Sequence, residues 1–87
     1  MLKYMKLYYY YNKNCSCCKG YEQEVTKIAD HFKFDTFWRD TDEATVSHTI
    51  QGVPTIVVED NGKTIYKNCG NLSSDRIIED LEGIIKE

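Results

Sequence analysis

This sequence predicts an α/β domain built on a four-stranded mixed sheet, and three observations carry that expectation. Apolar residues recur at helical spacing in two stretches, one beginning near Lys19 and one near Ser74. Four other stretches are rich in aromatic or β-branched residues and bounded by polar or glycine-containing turns. Between the last two of these stands Asp60-Asn61-Gly62, a strong hairpin signal. With one further short helix, the predicted order is β-α-β-α-β-β-α. A helical crossover between the first two strands makes them parallel, and the last two form an antiparallel hairpin. Helices are expected on both faces of the sheet.

The elements follow in order. Residues 3–11 read as the first strand, and the near-continuous apolar run Leu7-Tyr8-Tyr9-Tyr10-Tyr11 marks it as central and buried on both sides. Asn12-Lys13-Asn14 is a polar loop. Beyond Lys19, the residues Tyr21, Val25, Ile28, Ala29 and Phe32 line one face of a helix of about four turns, all expected in the core. Residues 34–39 read as the second strand. Asp40-Thr41-Asp42-Glu43 offers caps for a short helix through about His48. Gly52-Val53-Pro54-Thr55 breaks the pattern before Ile56-Val57-Val58, the third strand. The fourth runs over residues 64–68 and ends at Gly70. Ser73 or Ser74 caps a last helix whose Ile77, Ile78, Leu81, Ile84 and Ile85 form one apolar face.

Eighty-seven residues make one domain, 1–87, long enough to bury roughly 60–65% of its unfolded surface. A formal charge of −3 and the lack of any Lys/Arg cluster argue against nucleic acid as partner. No apolar run approaches the roughly 20 residues of a membrane span. The segment Met1-Leu2-Lys3-Tyr4-Met5-Lys6 lacks the apolar core of a signal peptide, so a cytoplasmic monomer without membrane attachment is expected. Of the four cysteines, three crowd into residues 15–18 and only Cys69 is distant, which no secreted two-bridge scaffold would use. Clustered cysteines in a cytosolic chain are catalytic or metal-binding.

The cluster reads Asn14-Cys15-Ser16-Cys17-Cys18-Lys19. Cys15 and Cys18 form a C-x-x-C at the junction of a predicted strand and a predicted helix. Free backbone N–H groups and the dipole at a helix start favour an anion, so a cysteine there ionises more readily. The thiolate is the species that attacks disulfides, and two cysteines at this spacing can close a short disulfide with each other. The stretch is read as a redox site, against the plainer alternative of an inert structural pair.

These residues resemble the thioredoxin superfamily, whose core has this element order, a C-x-x-C after the first core strand and a cis-proline before the third. The matching marks are Cys15 to Cys18 and Val53-Pro54-Thr55, separated by about 35 residues. Ile50-Gln51-Gly52-Val53-Pro54-Thr55-Ile56, then Asn61-Gly62, Gly70, Leu72-Ser73 and Leu81, is similar to the C-terminal half of thioredoxin, and Lys19 is family-like. The resemblance implies a compact thioredoxin-like domain of glutaredoxin size, without the family's first strand and helix. Three positions depart from the pattern. Ser16-Cys17 stands where thioredoxins carry Gly-Pro, Asn14 where they place a tryptophan, and Tyr9 where the family has a buried aspartate.

The resemblance implies a thiol–disulfide oxidoreductase that reduces protein disulfides, with no cofactor beyond a redox-active Cys15–Cys18 disulfide. Cys15 attacks and Cys18, one turn further and more buried, resolves the mixed disulfide. A cis bond before Pro54, the sole proline, would turn the backbone of Val53 toward the cysteines, where an extended substrate could pair with it. Val53, Pro54 and Gly70 are carried as substrate-binding residues, and Ser16, Cys17 and Lys19 as residues flanking the motif. Electrons come from a thioredoxin reductase or from glutathione. Two alternatives stand beside this: a glutathione-dependent, glutaredoxin-like enzyme, and a cysteine cluster that holds Zn²⁺ or an Fe–S centre without turnover. No metal site is expected, because Cys69 lacks a partner to make a second C-x-x-C. Cys17 reads as a filler facing outward, and Cys69 as a small buried residue at a strand end, shielded by the Pro54 loop. His31 and His48 are expected on helix surfaces without partners, Tyr8 to Tyr11 in strand packing, and the acidic residues on solvated faces.

Overall fold

The sheet grows outward from β1 (Met5–Tyr11), whose alternate residues have nowhere to go but into packed layers on either side. β1 runs parallel to β2 (Asp35–Asp40), with Tyr8 beside Phe37 and Tyr9 beside Trp38. On its other side it is antiparallel to β3 (Thr55–Asp60), with Leu7 opposite Val58 and Tyr9 opposite Ile56. β4 (Lys63–Cys69) completes the hairpin with β3, and the strand order is β2-β1-β3-β4. This architecture, seen in a computed structural model, describes residues 5–12, 15–41, 52–70 and 72–85, with the Cys17 side chain excepted. The predicted mixed sheet, its parallel first pair and its hairpin are all present. The short helix expected through His48 falls on residues 42–51, outside the described residues, while its candidate cap Asp40 is the last, buried residue of β2.

The hairpin turn follows from chemistry. Asn61 and Gly62 both adopt positive φ, at 54° and 83°, the conformation that matches the twist of a two-residue hairpin and that these two residue types tolerate. The hairpin is not regular throughout. Val58 pairs with Tyr66 but Glu59 with Thr64, so Ile65 is an extra residue and β4 carries a bulge.

Helices α1 (Glu22–Phe32) and α2 (Ser74–Ile85) share one face of the sheet. Tyr21, Val25 and Ile28 from the first, and Ile77 and Leu81 from the second, join Leu7, Tyr9, Ile56 and Val58 in one core cluster. Leu7, Ile28, Ile77 and Leu81 are fully buried, and each such side chain stabilises the fold by about 1.5–3 kcal/mol through removal from water. The expected apolar faces are therefore met in their centres and looser at their margins, where Ile78 and Ile85 are only partly buried. Phe32 is likewise half-buried, and Ile84 stands 44% exposed near the end of α2. Of the expected second face of helices, the only candidate segment lies in the residues not described.

Side chains join the two helices at both ends. Ser73 caps α2 by accepting the Arg76 N–H on its hydroxyl at 3.4 Å. The first N–H of α2, on Ser74, donates instead to a Glu24 carboxylate oxygen of α1 at 2.8 Å. At the other end, His31 of α1 meets Glu82 of α2 at 3.0 Å, so His31 is a surface residue with a partner, contrary to the expectation that it has none. His48 lies outside the described residues.

Candidate active site

The cysteines do not sit at the start of the long helix, as the predicted strand–helix junction would have them. Ser16–Cys18 forms a separate 3₁₀ turn with Cys15 as its cap residue, and α1 begins only at Glu22. Two local facts produce the break. Short-range bonds close the turn, from the Cys18 N–H to the Cys15 carbonyl at 3.2 Å and from the Lys19 N–H to the Ser16 carbonyl at 3.3 Å. Gly20 then takes φ +81°, a left-handed conformation that redirects the chain before the helix starts. The helix-dipole argument for Cys15 is thereby corrected: one 3₁₀ turn carries no appreciable macrodipole, and its polar surroundings are instead the groups named below.

Cys15 hangs from the end of β1, its N–H bonded to the Asn12 carbonyl at 2.9 Å. Its thiol lies 3.8 Å from the Val53 carbonyl, so the residues at 15 and 53 meet across the sheet. The Val53–Pro54 peptide bond is cis. The loop is pinned on either side, by the Gly70 N–H donating to the Pro54 carbonyl at 2.8 Å and by the Thr55 hydroxyl donating to the Gly52 carbonyl at 2.6 Å. Cys15, Val53, Pro54 and Gly70, all chosen from sequence, thus stand in one neighbourhood.

Cys18 is 5% exposed, whereas Cys15 is only half-buried. Burial, followed by the hydrogen bond with Cys15, pushes the Cys18 thiol up to about 11. The Asn12 backbone N–H and the Tyr9 hydroxyl, which donates to the Cys18 carbonyl at 3.5 Å, act in the other direction. The asymmetry is chemical as well as steric: one thiol faces the surface and the other is held protonated beneath it. Both are free thiols here, as is Cys69.

Beside the pair opens a shallow cleft of about 170 Å³ lined by Tyr11, Asn12, Cys15, Cys18, Lys19 and Glu22. Sequence reasoning placed Lys19 there but missed Tyr11, Asn12 and Glu22. Glu22 could have been found, since it stands only four residues after Cys18, at the start of α1; Tyr11 and Asn12 adjoin the motif only through the turn after β1. Asn12 is anchored by its amide, which donates to the Thr41 hydroxyl at 3.1 Å. Ser16 and Lys19 are exposed.

Two expectations are revised. Cys69 is exposed rather than buried, because it ends the edge strand β4 opposite Thr55, at the last register position of the sheet. Its sulfur would lie 3.5 Å from a side chain added at Gly52, so it flanks the Pro54 loop without being covered by it. The outward orientation expected for Cys17 falls outside the described side chains. Among the described residues no group of three His, Cys, Asp or Glu side chains stands close enough to hold a metal ion.

A dithiol set on a turn after the central strand of a mixed four-stranded sheet, with a proline loop against the outer thiol, defines the class of thiol–disulfide oxidoreductases. The family model for thioredoxin matches residues 3–83, and the chain belongs to the thioredoxin family. Among solved structures, it is similar to thioredoxin 1 of Thermosipho africanus TCF52B, with 27% identity and a TM-score of 0.73, over 90% of this chain and 91% of that one. A mutant thioredoxin of Halobacterium salinarum NRC-1 shares the fold at 22% identity and a TM-score of 0.83, over 97% and 77% of the two chains. Thioredoxin-2, described as a component of the malaria parasite's protein secretion machinery, does so at 18% identity and 0.81, over 95% and 85%. No curated protein matches the chain.

Proposed function

We propose that this protein reduces disulfides in protein substrates, cycling Cys15 and Cys18 between dithiol and disulfide. The observation that carries the reading is the unequal pair: a half-exposed Cys15 against the proline loop, and a buried Cys18 whose thiol is pushed up to about 11. An attacking thiol needs access, and a resolving thiol is best kept neutral until a mixed disulfide is in front of it.

In the first step the Cys15 thiolate attacks one substrate sulfur. A Cys15–substrate disulfide forms, the substrate S–S bond breaks, and the second substrate sulfur leaves as a thiolate that takes up a proton. In the second step Cys18 gives up its proton and attacks the Cys15 sulfur. The Cys15–Cys18 disulfide forms, and the first substrate sulfur leaves and ends as a thiol. Two electrons pass to the substrate and the enzyme is left oxidised. An extended substrate segment pairing with the backbone of Val53, with Gly70 flanking the Pro54 loop, would hold the target sulfur over Cys15. A thioredoxin reductase or glutathione restores the dithiol, and the setting is a cytoplasmic monomer that needs no cofactor beyond the pair itself.

The test is a substitution pair. Cys15→Ser should abolish reduction of a protein disulfide such as that of insulin. Cys18→Ser should still attack but accumulate covalent substrate adducts, visible by mass. Normal turnover by the Cys18→Ser variant would show that another thiol resolves and would overturn the assignment. Coupling the assay to a thioredoxin reductase in one arm, and to glutathione with its reductase in the other, identifies the electron donor.

A further inference from the structure

Tyr9 has no exposed surface, yet it carries a hydroxyl. A buried hydroxyl needs a partner, and the direction in which it points is therefore informative. It donates to the Cys18 carbonyl at 3.5 Å, far beyond the roughly 2.7–2.8 Å typical of an O–H···O bond. That carbonyl is a weak acceptor at such a distance, and the Cys18 sulfur belongs to the same residue. The Tyr9 hydroxyl and the Asn12 N–H both act to favour the thiolate form of that sulfur. The ring cannot swing away: it stacks on Tyr11 at 5.4 Å, meets Trp38 edge-on at 5.2 Å and tilts against Tyr21 at 6.1 Å.

We propose that Tyr9 is a positioning residue for the resolving step, its hydroxyl acting only as a donor that holds Cys18 in place and shares its hydrogen with the Cys18 sulfur as that sulfur becomes anionic. This rests on the oxidoreductase reading above. In the step itself the proton lost by Cys18 ends on the departing substrate sulfur, and Tyr9 keeps its own throughout. Burial, with Cys18, Glu22 and Cys15 as neighbouring negative charges, pushes the Tyr9 hydroxyl far above its ordinary range, so it cannot serve as a base. Tyr11, Cys15, Lys19 and the Glu22 carboxylate, which line the cleft together with Cys18, are the other titratable groups there among the described residues.

Tyr9→Phe removes the hydroxyl and keeps the ring. The first readout is the thiolate absorbance of Cys18 against pH, in protein carrying Cys15→Ser, Cys17→Ser and Cys69→Ser, with and without Tyr9→Phe. The midpoint should rise by about one unit when one donor is lost. The second is a single turnover with a chromogenic aromatic disulfide, in which attack and resolution release separate equivalents. A one-unit rise cuts the thiolate fraction about tenfold and raises its nucleophilicity about threefold, so resolution should slow about threefold near neutral pH. The attack phase should keep its rate. Site-specific replacement of Tyr9 by a fluorotyrosine, a stronger donor of nearly the same shape, should move the Cys18 midpoint down, and this arm stands even if the phenylalanine variant folds poorly. Tyr21→Phe is the control: its hydroxyl is bonded to the Leu72 carbonyl at 2.6 Å, and its loss should leave both readouts unmoved. An unchanged Cys18 midpoint in both Tyr9 variants, or an equal change in the Tyr21→Phe protein, would overturn the proposal. Failure of Cys15 to attack any disulfide would instead overturn the oxidoreductase reading, while the titration would still decide the role of Tyr9.

Discussion

Three described thiols within one small protein meet three different surroundings. Cys18 lies beneath the surface with its thiol pushed up by burial, Cys15 is half-buried against Val53, and Cys69 is exposed at the end of an edge strand. Alkylation needs both access and thiolate, so the reduced, folded protein should react at Cys69 and Cys15 well before Cys18. Timed labelling followed by mass mapping checks the order; Cys18 modified as fast as Cys69 would contradict it. The C-x-x-C was legible because two cysteines within four positions at a strand end are enough to announce it. The side to which Cys69 turns was not, since burial at the last register position of a strand depends on whether another strand follows, and none does among the described residues. Tyr9 illustrates the same limit: its place in the core follows from the apolar run, but the aim of its hydroxyl at Cys18 exists only once β1 and the 3₁₀ turn are folded together.

At the scale of elements, the tie between α1 and α2 is a carboxylate on a helix start. The Ser74 N–H donates to Glu24, and this bond is the largest of the influences holding the Glu24 carboxyl below its ordinary range, Lys27 at 3.8 Å adding a smaller one. A carboxyl whose folded value is lowered stabilises the fold above its unfolded value and loses that contribution as pH falls through the folded one. Glu24→Ala should therefore lower stability near neutrality by about 0.5–1.5 kcal/mol, with the gap to the parent protein closing in acid. Urea midpoints at neutral and acid pH measure this, and a gap that persists in acid would point to lost packing instead. Helix faces, the central strand and the Asn61-Gly62 turn could be read from residue order because each is a local pattern. The start of α1 could not. Tyr21 joins Val25 in one apolar stripe although it precedes the first helical residue, Glu22, and periodicity does not register the change of φ at Gly20 just before it.

Apart from Glu24, the shifted groups place their risk on the alkaline side of the pH scale. Burial raises Cys18 to about 11 and Tyr21 to about 12, and raises Tyr66 as well. Groups whose folded values are raised leave stability intact below their unfolded values, near 9 for the thiol and 10 for the phenols, and withdraw it as pH climbs through the folded ones. The melting temperature should thus decline from about pH 9 upward, steepening toward pH 12, because unfolding lets each group ionise in water. Calorimetry across that range tests it, and a flat profile would mean that these groups ionise without unfolding. The bulge at Ile65 bears on another property of the molecule, its behaviour in a crowd. β4 is an outer strand, and an outer strand that is long and straight invites a fifth from a neighbouring molecule. The extra residue bends and twists that border, and Lys63 and Lys67 add charge along it. A single residue out of step in β4 thereby helps to end the sheet at four strands, and to keep a chain with so aromatic a central strand dispersed rather than stacked.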